Sequence, residues 1–399
     1  MTVQVLFSGI FALLILLLPD LVVFNRARSL SLKVPRKPYT PSNNRQADEI
    51  DVVVPVQVPE DEVFALEWTR VFNQSFPGSG GKLFISSNGR WHGNADFSSC
   101  RLEVRHTEGN GSKINNLENA ILATDGGVIA IFDADSRPVK AVDFDLISHH
   151  LAESDCVQGS NITASQSLNS FGLFCEYESL VSACMSETFS SGEEGTSQFR
   201  GTNAYFRSET IKGLRFRVDT ALEDIDATIR LLCRGGKIRF EPRLLAIEAA
   251  PMDRWELLKQ RSRWSFGWGH LCRMHLFTVL ASKKLTRHQK IRIAGYLVWV
   301  TFFLPVAFTA ILILPWSTGW LLVAVLIKFA TSELLVRKHA KSSRMSSVFE
   351  ASSRSRNVSL FHRIWFSAQL VLIDLLKSLS IFGFALGTGS NWPATRKTF

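Results

Sequence analysis

The chain has no CxxC pair, no internal repeat and no extended low-complexity tract. Its six cysteines (Cys100, Cys156, Cys175, Cys184, Cys233, Cys272) lie far apart, which excludes a zinc framework and suits a reducing compartment. The net charge of +9 comes without a nucleic-acid recognition motif. The basic residues cluster beside apolar runs, so the excess points to an anionic membrane face, and nucleic acid is not an expected partner. No Lys or Arg precedes the first apolar run and no clear small-residue cleavage site follows it, which disfavours a secretory signal.

What is present is a chain of 399 residues, enough for one sizeable catalytic domain and a few membrane helices. Residues 3–24 are almost wholly apolar and long enough to cross a bilayer, with Pro19 and Asp20 weakening the end of the run. Arg26, Arg28, Lys33, Arg36, Lys37 and Arg45 follow at once, and the positive-inside rule places the next segment in the cytosol. Sequons at Asn161 and Asn357 would then go unused. From Ile50 strands at 51–56, 82–86, 102–106 and 128–132 alternate with helices at 61–72 and 115–123. That order predicts a doubly wound α/β sheet whose ligands sit beyond the carboxyl ends of the strands.

Past Trp264 the chain is amphipathic and basic up to Arg292, as an interfacial helix would be. Apolar spans follow at 293–314, 320–336 and 365–386, and the connection at 337–363 is basic (Lys338, Lys341, Arg344, Arg354, Arg356), hence cytosolic. Lys328, Glu333, Asp374 and Lys377 fall inside these spans, with Asp374 and Lys377 one helical turn apart and able to pair. Three spans would leave the tail on the far side, whereas Arg396 and Lys397 favour the near side. The expected division is a transmembrane anchor (1–24), a basic cytosolic linker (25–49), a catalytic domain (50–275), an interfacial segment (276–292), a transmembrane region of about three spans (293–388) and a tail (389–399).

Three polar motifs stand between the membrane-like ends. Ile131-Phe132-Asp133-Ala134-Asp135 puts a carboxylate pair at a strand end, suited to a divalent cation on a leaving diphosphate. Alone it is a weak sign, since Asp-x-Asp is frequent in turns and caps. Leu222-Glu223-Asp224 opens a helix with apolar residues at Leu222, Ile225, Ile229 and Leu232. Asp224 there either complements the helix dipole or acts as general base on an acceptor hydroxyl, while nearby Asp226 reads as a helix-surface acid. In Gln260-Arg261-Ser262-Arg263-Trp264, Gln260 and Arg263 suit a diphosphate and Trp264 offers an apolar face to a sugar ring. The blander reading is an interfacial Trp beside snorkelling arginines.

In this order, and flanked by membrane spans, the motifs resemble those of family-2 glycosyltransferases, above all the membrane branch of cellulose, chitin and hyaluronan synthases. Supporting pieces are Val157-Gln158-Gly159, Phe199-Arg200-Gly201-Thr202-Asn203-Ala204-Tyr205-Phe206-Arg207, Gly235-Gly236-Lys237-Ile238 and Glu248-Ala249-Ala250-Pro251, and the likeness covers residues 50–275. It implies an α/β GT-A (Rossmann-like) domain with N- and C-terminal transmembrane helices, and an inverting transfer from a UDP-sugar that gives a β-linkage. By position, Asp133 would contact the nucleotide and the metal, Asp135 the metal (Mg2+ or Mn2+), and Lys113 the diphosphate. Asp224 would be the base, Gln260 and Arg263 would bind the donor, and Trp264, Glu223 and Thr202 the acceptor.

Two departures stand out. Where the family commonly has an aspartate for the nucleotide base, this chain reads Ser86-Ser87-Asn88-Gly89, with Asn88 as the substitute. Ser112-Lys113-Ile114-Asn115-Asn116-Leu117 resembles a stretch of ceramide glucosyltransferases, which add one sugar to a lipid. The expected activity is a membrane β-glycosyltransferase, with polysaccharide synthesis favoured over single-sugar transfer to a membrane lipid. Few spans are present to line a channel, which implies self-association or an accessory subunit for secretion. A noncatalytic partner of a synthase is a further reading prompted by Asn88 and opposed by the retained acids. A transporter built on the span charges leaves the soluble domain unexplained.

Overall fold

The computed structural model describes residues 2–29, 49–56, 59–77, 80–88, 102–107, 112–165, 169–190, 196–315, 317–386 and 397–398. Strands β1 (Ile50–Val56), β2 (Leu83–Asn88), β3 (Leu102–Thr107), β4 (Val128–Ile131), β5 (Ser136–Pro138), β6 (Cys156–Ala164), β7 (Ala204–Arg207), β8 (Ile238–Pro251) and β9 (Lys397–Thr398) form one sheet. Its order is β3-β2-β1-β4-β7-β6-β8-β5, with β9 paired to β8. The half from β3 to β4 is parallel, as the alternating pattern predicts. β7 and β5 run antiparallel to their neighbours, so the sheet is mixed. β7 starts where Thr202 meets Asp133, at the carboxyl end of β4, and has to run back along it.

Apolar runs make these strands because both faces are covered. Val52, Val54 and Val56 of β1 pack with Trp68, Phe72, Phe76, Phe132 and Tyr205 on one face. Val53 packs on the other face with Phe84, Ile114, Leu117, Ile129 and Ile131. The exception within the run is Asp51, which is buried and accepts from the backbone N–H groups of Lys82, Asp125 and Gly126 at 2.8, 2.9 and 2.8 Å. It pins the edges of β2 and β4 to β1.

Among the described residues three helices are long and apolar enough to cross a membrane: Arg287–Ile313, which contains a π turn at Trp299–Phe303, then Ser317–His339 and Leu360–Leu386. They match the three spans expected. The N-terminal apolar run is not a straight anchor, because Leu6–Leu16 and Leu18–Arg28 meet at a 62° bend. Pro19 has no N–H to give the carbonyl of Ile15, four residues back. That carbonyl instead accepts from Trp299 Nε1 at 2.7 Å. Asp20, the second interruption, pairs with Lys328 at 2.7 Å. Lys328 also pairs with Asp374 at 2.7 Å, and the expected Asp374–Lys377 pair is present at 2.7 Å. Glu333 pairs with Arg363 at 2.8 Å.

The basic connection between the last two apolar helices docks on the α/β domain. Arg344 pairs with Glu187 (2.7 Å) and Arg354 with Glu176 (3.2 Å), both on helix Ser170–Ser190. Helix Arg254–Ala281 runs uninterrupted across residue 275, and Thr286 caps the helix that follows. β9 pairs with Ala250 and Pro251 of β8, so Lys397 and Thr398 lie at the sheet.

Replacing Lys328 with Met would strand Asp20 in an apolar bundle. We expect a loss of about 3–5 kcal/mol of stability, read as a lower midpoint of thermal unfolding in detergent. Adding Asp20→Asn should recover part of that loss, because Asp374 keeps Lys377.

Candidate active site

Asp133 and Asp135 follow the carboxyl end of β4, where the sequence places them. Their backbone is held from several sides. Phe132 N donates to Val53 O (3.0 Å), and its ring lies 5.1 Å from Trp68 and 6.0 Å from Tyr205. Trp68 Nε1 donates to Ala134 O (3.0 Å), a carbonyl that the Arg137 guanidinium also reaches. Asp133 N donates to Thr202 Oγ1 (3.0 Å), so Thr202 fixes the motif's backbone. Asp135 is buried, 4% exposed.

Lys113 joins the first motif to the second. It opens helix Lys113–Ala123, whose cap Ser112 accepts from Asn115 N. Asn116 Nδ2 donates to Val56 O (2.7 Å), which docks that helix at the carboxyl end of β1. From there the Lys113 ammonium reaches Asp133 at 2.6 Å and Glu223 at 3.6 Å. Burial pulls its pKa down, but the carboxylates of Asp133 and Glu223 outweigh that and raise it above the ordinary lysine value.

Asp224 sits in the first turn of helix Glu223–Cys233, against the loop at 199–203. Gly201 has φ +83° and Asn203 φ +51°, so this loop is forced and needs holding. Asn203 Nδ2 donates to Ser160 O and Leu244 O, both at 2.9 Å. Gln158 accepts from Arg200 N (2.9 Å) and donates to Thr202 O (2.9 Å). A Cβ on Gly201 would lie 3.6 Å from Asp224 Oδ2, which shows how closely the carboxylate approaches the loop. Burial first, and the neighbouring Glu223 carboxylate second, push the Asp224 pKa up to about 7. Asp226 is not the surface acid expected: it is fully buried, with His275 and Arg230 each 2.7 Å away.

Helix Arg254–Ala281 carries the third motif. It packs on helix Glu223–Cys233 so tightly that a Cβ at Gly267 would lie 2.6 Å from Leu222. Gln260 is buried and accepts from Arg261 Nη1 (2.7 Å). Arg263 Nε is buried with no hydrogen-bond partner, and Trp264 is 36% exposed. Lys113, Asp133, Glu223, Asp224 and Thr202 thus form one cluster, with Trp264 one helical turn from the Gly267 contact. Sequence reading passed over Arg261, which stacks on Trp264 and pairs with Glu178, and Arg200, whose charge acts on Asp224. Both lie inside quoted motifs, and nothing in their spacing separates them from neighbouring arginines. β2 ends at Asn88, whose side chain lies outside the described residues, as does Cys100.

Among the described residues no group of three or more His, Cys, Asp or Glu is set to hold a metal. Two carboxylates at a strand end still suit a hard cation that takes its remaining oxygens from phosphates and water. Asp133 and Asp135 fit on those terms.

Residues 128–332, just over half the chain, match the glycosyl transferase family group 2, and the chain belongs to that family. Its fold is similar to that of the mannosyltransferase PcManGT from Pyrobaculum calidifontis in complex with GDP-Man and Mn2+, with TM-score 0.56, 15% identity, and 93% of this chain and 98% of that chain covered. Residues 1–349 of S. aureus TarS overlay more loosely, with TM-score 0.42, 12% identity, and 76% and 92% covered. No curated protein matches the chain by sequence.

A carboxylate lifted in this way works as a base only above its pKa, so the rate should rise as pH passes about 7. Asp224→Asn should lower kcat by about 100-fold or more without lowering the unfolding midpoint. Glu223→Gln removes the like charge and should move the acid limb of the pH–rate profile to lower pH.

Proposed function

We propose that this is an inverting membrane glycosyltransferase that takes a sugar from a UDP-sugar and joins it through a β-linkage, in polysaccharide synthesis. The observation that carries this reading is the Lys113 node, where one ammonium meets a carboxylate of the first motif and one of the second. When bound between Asp133 and Asp135, Mg2+ or Mn2+ would neutralise charge on the departing diphosphate. Lys113 and Arg263 would add to that neutralisation, Gln260 would bind the donor with them, and Asn88 would meet the nucleotide base. Asp224 takes the proton of the acceptor hydroxyl as its oxygen bonds to the anomeric carbon and the bond to the diphosphate oxygen breaks. Attack from the face opposite the leaving group inverts that carbon. Thr202 and Glu223 border the acceptor, and the exposed Trp264 ring receives its sugar.

The docking of Arg344 and Arg354 on helix Ser170–Ser190 puts the basic connection on the catalytic domain's side, which supports a multi-pass protein with a cytosolic active site. Asn116 serves to dock its helix on β1, so the Lys-Ile-Asn-Asn likeness to lipid glucosyltransferases has a structural explanation and weighs little for a lipid acceptor.

The test is a panel of radiolabelled UDP-sugars, with GDP-mannose alongside, offered to the full chain with and without Mn2+. We expect metal-dependent incorporation from one UDP-sugar into long product that resists lipid extraction. A single glycolipid would replace the polymer reading, and no incorporation from any donor would favour a noncatalytic role.

A further inference from the structure

We infer that Arg261, clamped by Glu178, is the positioning residue of the acceptor platform, covering one face of the Trp264 ring so that a sugar stacks only on the other. This rests on the reading that Trp264 receives the acceptor. Arg261 Nε and Nη2 donate to the two Glu178 oxygens at 3.1 and 2.7 Å, and Nη1 donates to Gln260 Oε1 at 2.7 Å. With its fork committed in the guanidinium plane, the group has a flat face to offer, and Arg261 Cζ lies 4.1 Å from the centre of the Trp264 ring. The two arginines of the motif therefore divide the work: Arg261 is taken up in holding the ring, and Arg263 is left for the donor. A one-faced indole selects a pyranose unit with a face of C–H bonds, as an all-equatorial β-linked sugar has. Glu178 comes from helix Ser170–Ser190, so the ring's orientation is set by an element outside its own helix.

The contact is tested in full-length, detergent-solubilised protein carrying 5-fluorotryptophan, with the Trp264 fluorine resonance assigned by Trp264→Phe. Arg261→Met should shift and broaden that resonance, Glu178→Gln should do so less, and Arg261→Lys should restore part of the native signal. With the UDP-sugar that the panel selects, UDP released per sugar incorporated should rise about threefold or more in Arg261→Met, as water replaces a poorly seated acceptor. A Trp264 resonance indifferent to Arg261→Met overturns the inference. So does a variant in which UDP release and incorporation fall together, which marks a merely structural role. If no donor is turned over, the transferase reading fails, and the fluorine signal still decides whether Arg261 restrains the ring.

Discussion

Helix Ser170–Ser190 holds the two halves of the molecule together. Its apolar residues Phe174, Tyr177, Leu180 and Cys184 join Ile162 and Leu245 of the sheet and Phe349 and Phe366 of the C-terminal region in one core. Its polar side chains are bound by segments far apart in sequence: Glu176 by Arg354, Glu178 by Arg261, Ser182 by Arg200, Glu187 by Arg344 and Thr188 by His339. The Thr188 carbonyl also accepts from Arg26 of the bent N-terminal pair (3.1 Å). A carboxylate costs several kcal/mol to desolvate unless it is paired, which bears most on the buried Glu176 and Glu187 and less on the half-buried Glu178. Each of these acids therefore demands its arginine, and the N-terminal helices, the motif helix and the basic connection have to arrive together.

The same rule of charge compensation explains why two acids in one helical turn have opposite roles. Asp224 and Asp226 are both carried by helix Glu223–Cys233. At Asp226 burial pushes the pKa up, but hydrogen bonds from His275 and Arg230 outweigh it and hold the carboxyl below its ordinary range. That acid is a tie between helix Glu223–Cys233 and helix Arg254–Ala281. At Asp224 the charge of Lys113, which also meets Asp133 and Glu223, and that of Arg200 do not offset burial. Burial and the neighbouring Glu223 carboxylate together push its pKa up to about 7, so it can take up a proton near neutral pH.

Much of this was legible in the sequence, for identifiable reasons. Short apolar runs covered on both faces marked β1, β2 and β4, and long apolar runs marked the three C-terminal helices. The order of polar motifs marked Asp133 and Glu223, which meet at Lys113. The direction of β7 was not legible, because it depends on where the loop at 199–203 is tied to Asp133 and Gln158, contacts that no local pattern announces. Helix Ser170–Ser190 escaped notice because its acids sit among apolar residues on nearly every side, leaving no polar face to give it a period. Pro19 and Asp20 looked like flaws in an anchor. Their partners, Trp299 and Lys328, lie hundreds of residues away.

Those two partners also explain how a soluble cleft is fixed to an apolar bundle. Trp299 accepts the consequence of the Pro19 bend at Ile15, and its ring lies 5.8 Å from Tyr296. Tyr296 in turn meets Trp268 edge-on at 4.9 Å. Trp268 is one helical turn beyond Trp264, on the same side of helix Arg254–Ala281. That helix is thus gripped twice: by Glu178, Asp226 and Leu222 from the catalytic domain, and by Tyr296 from the bundle. An element held from both sides cannot tilt to suit one without breaking contacts on the other. The position of the exposed indole is therefore set by the bundle and the sheet together.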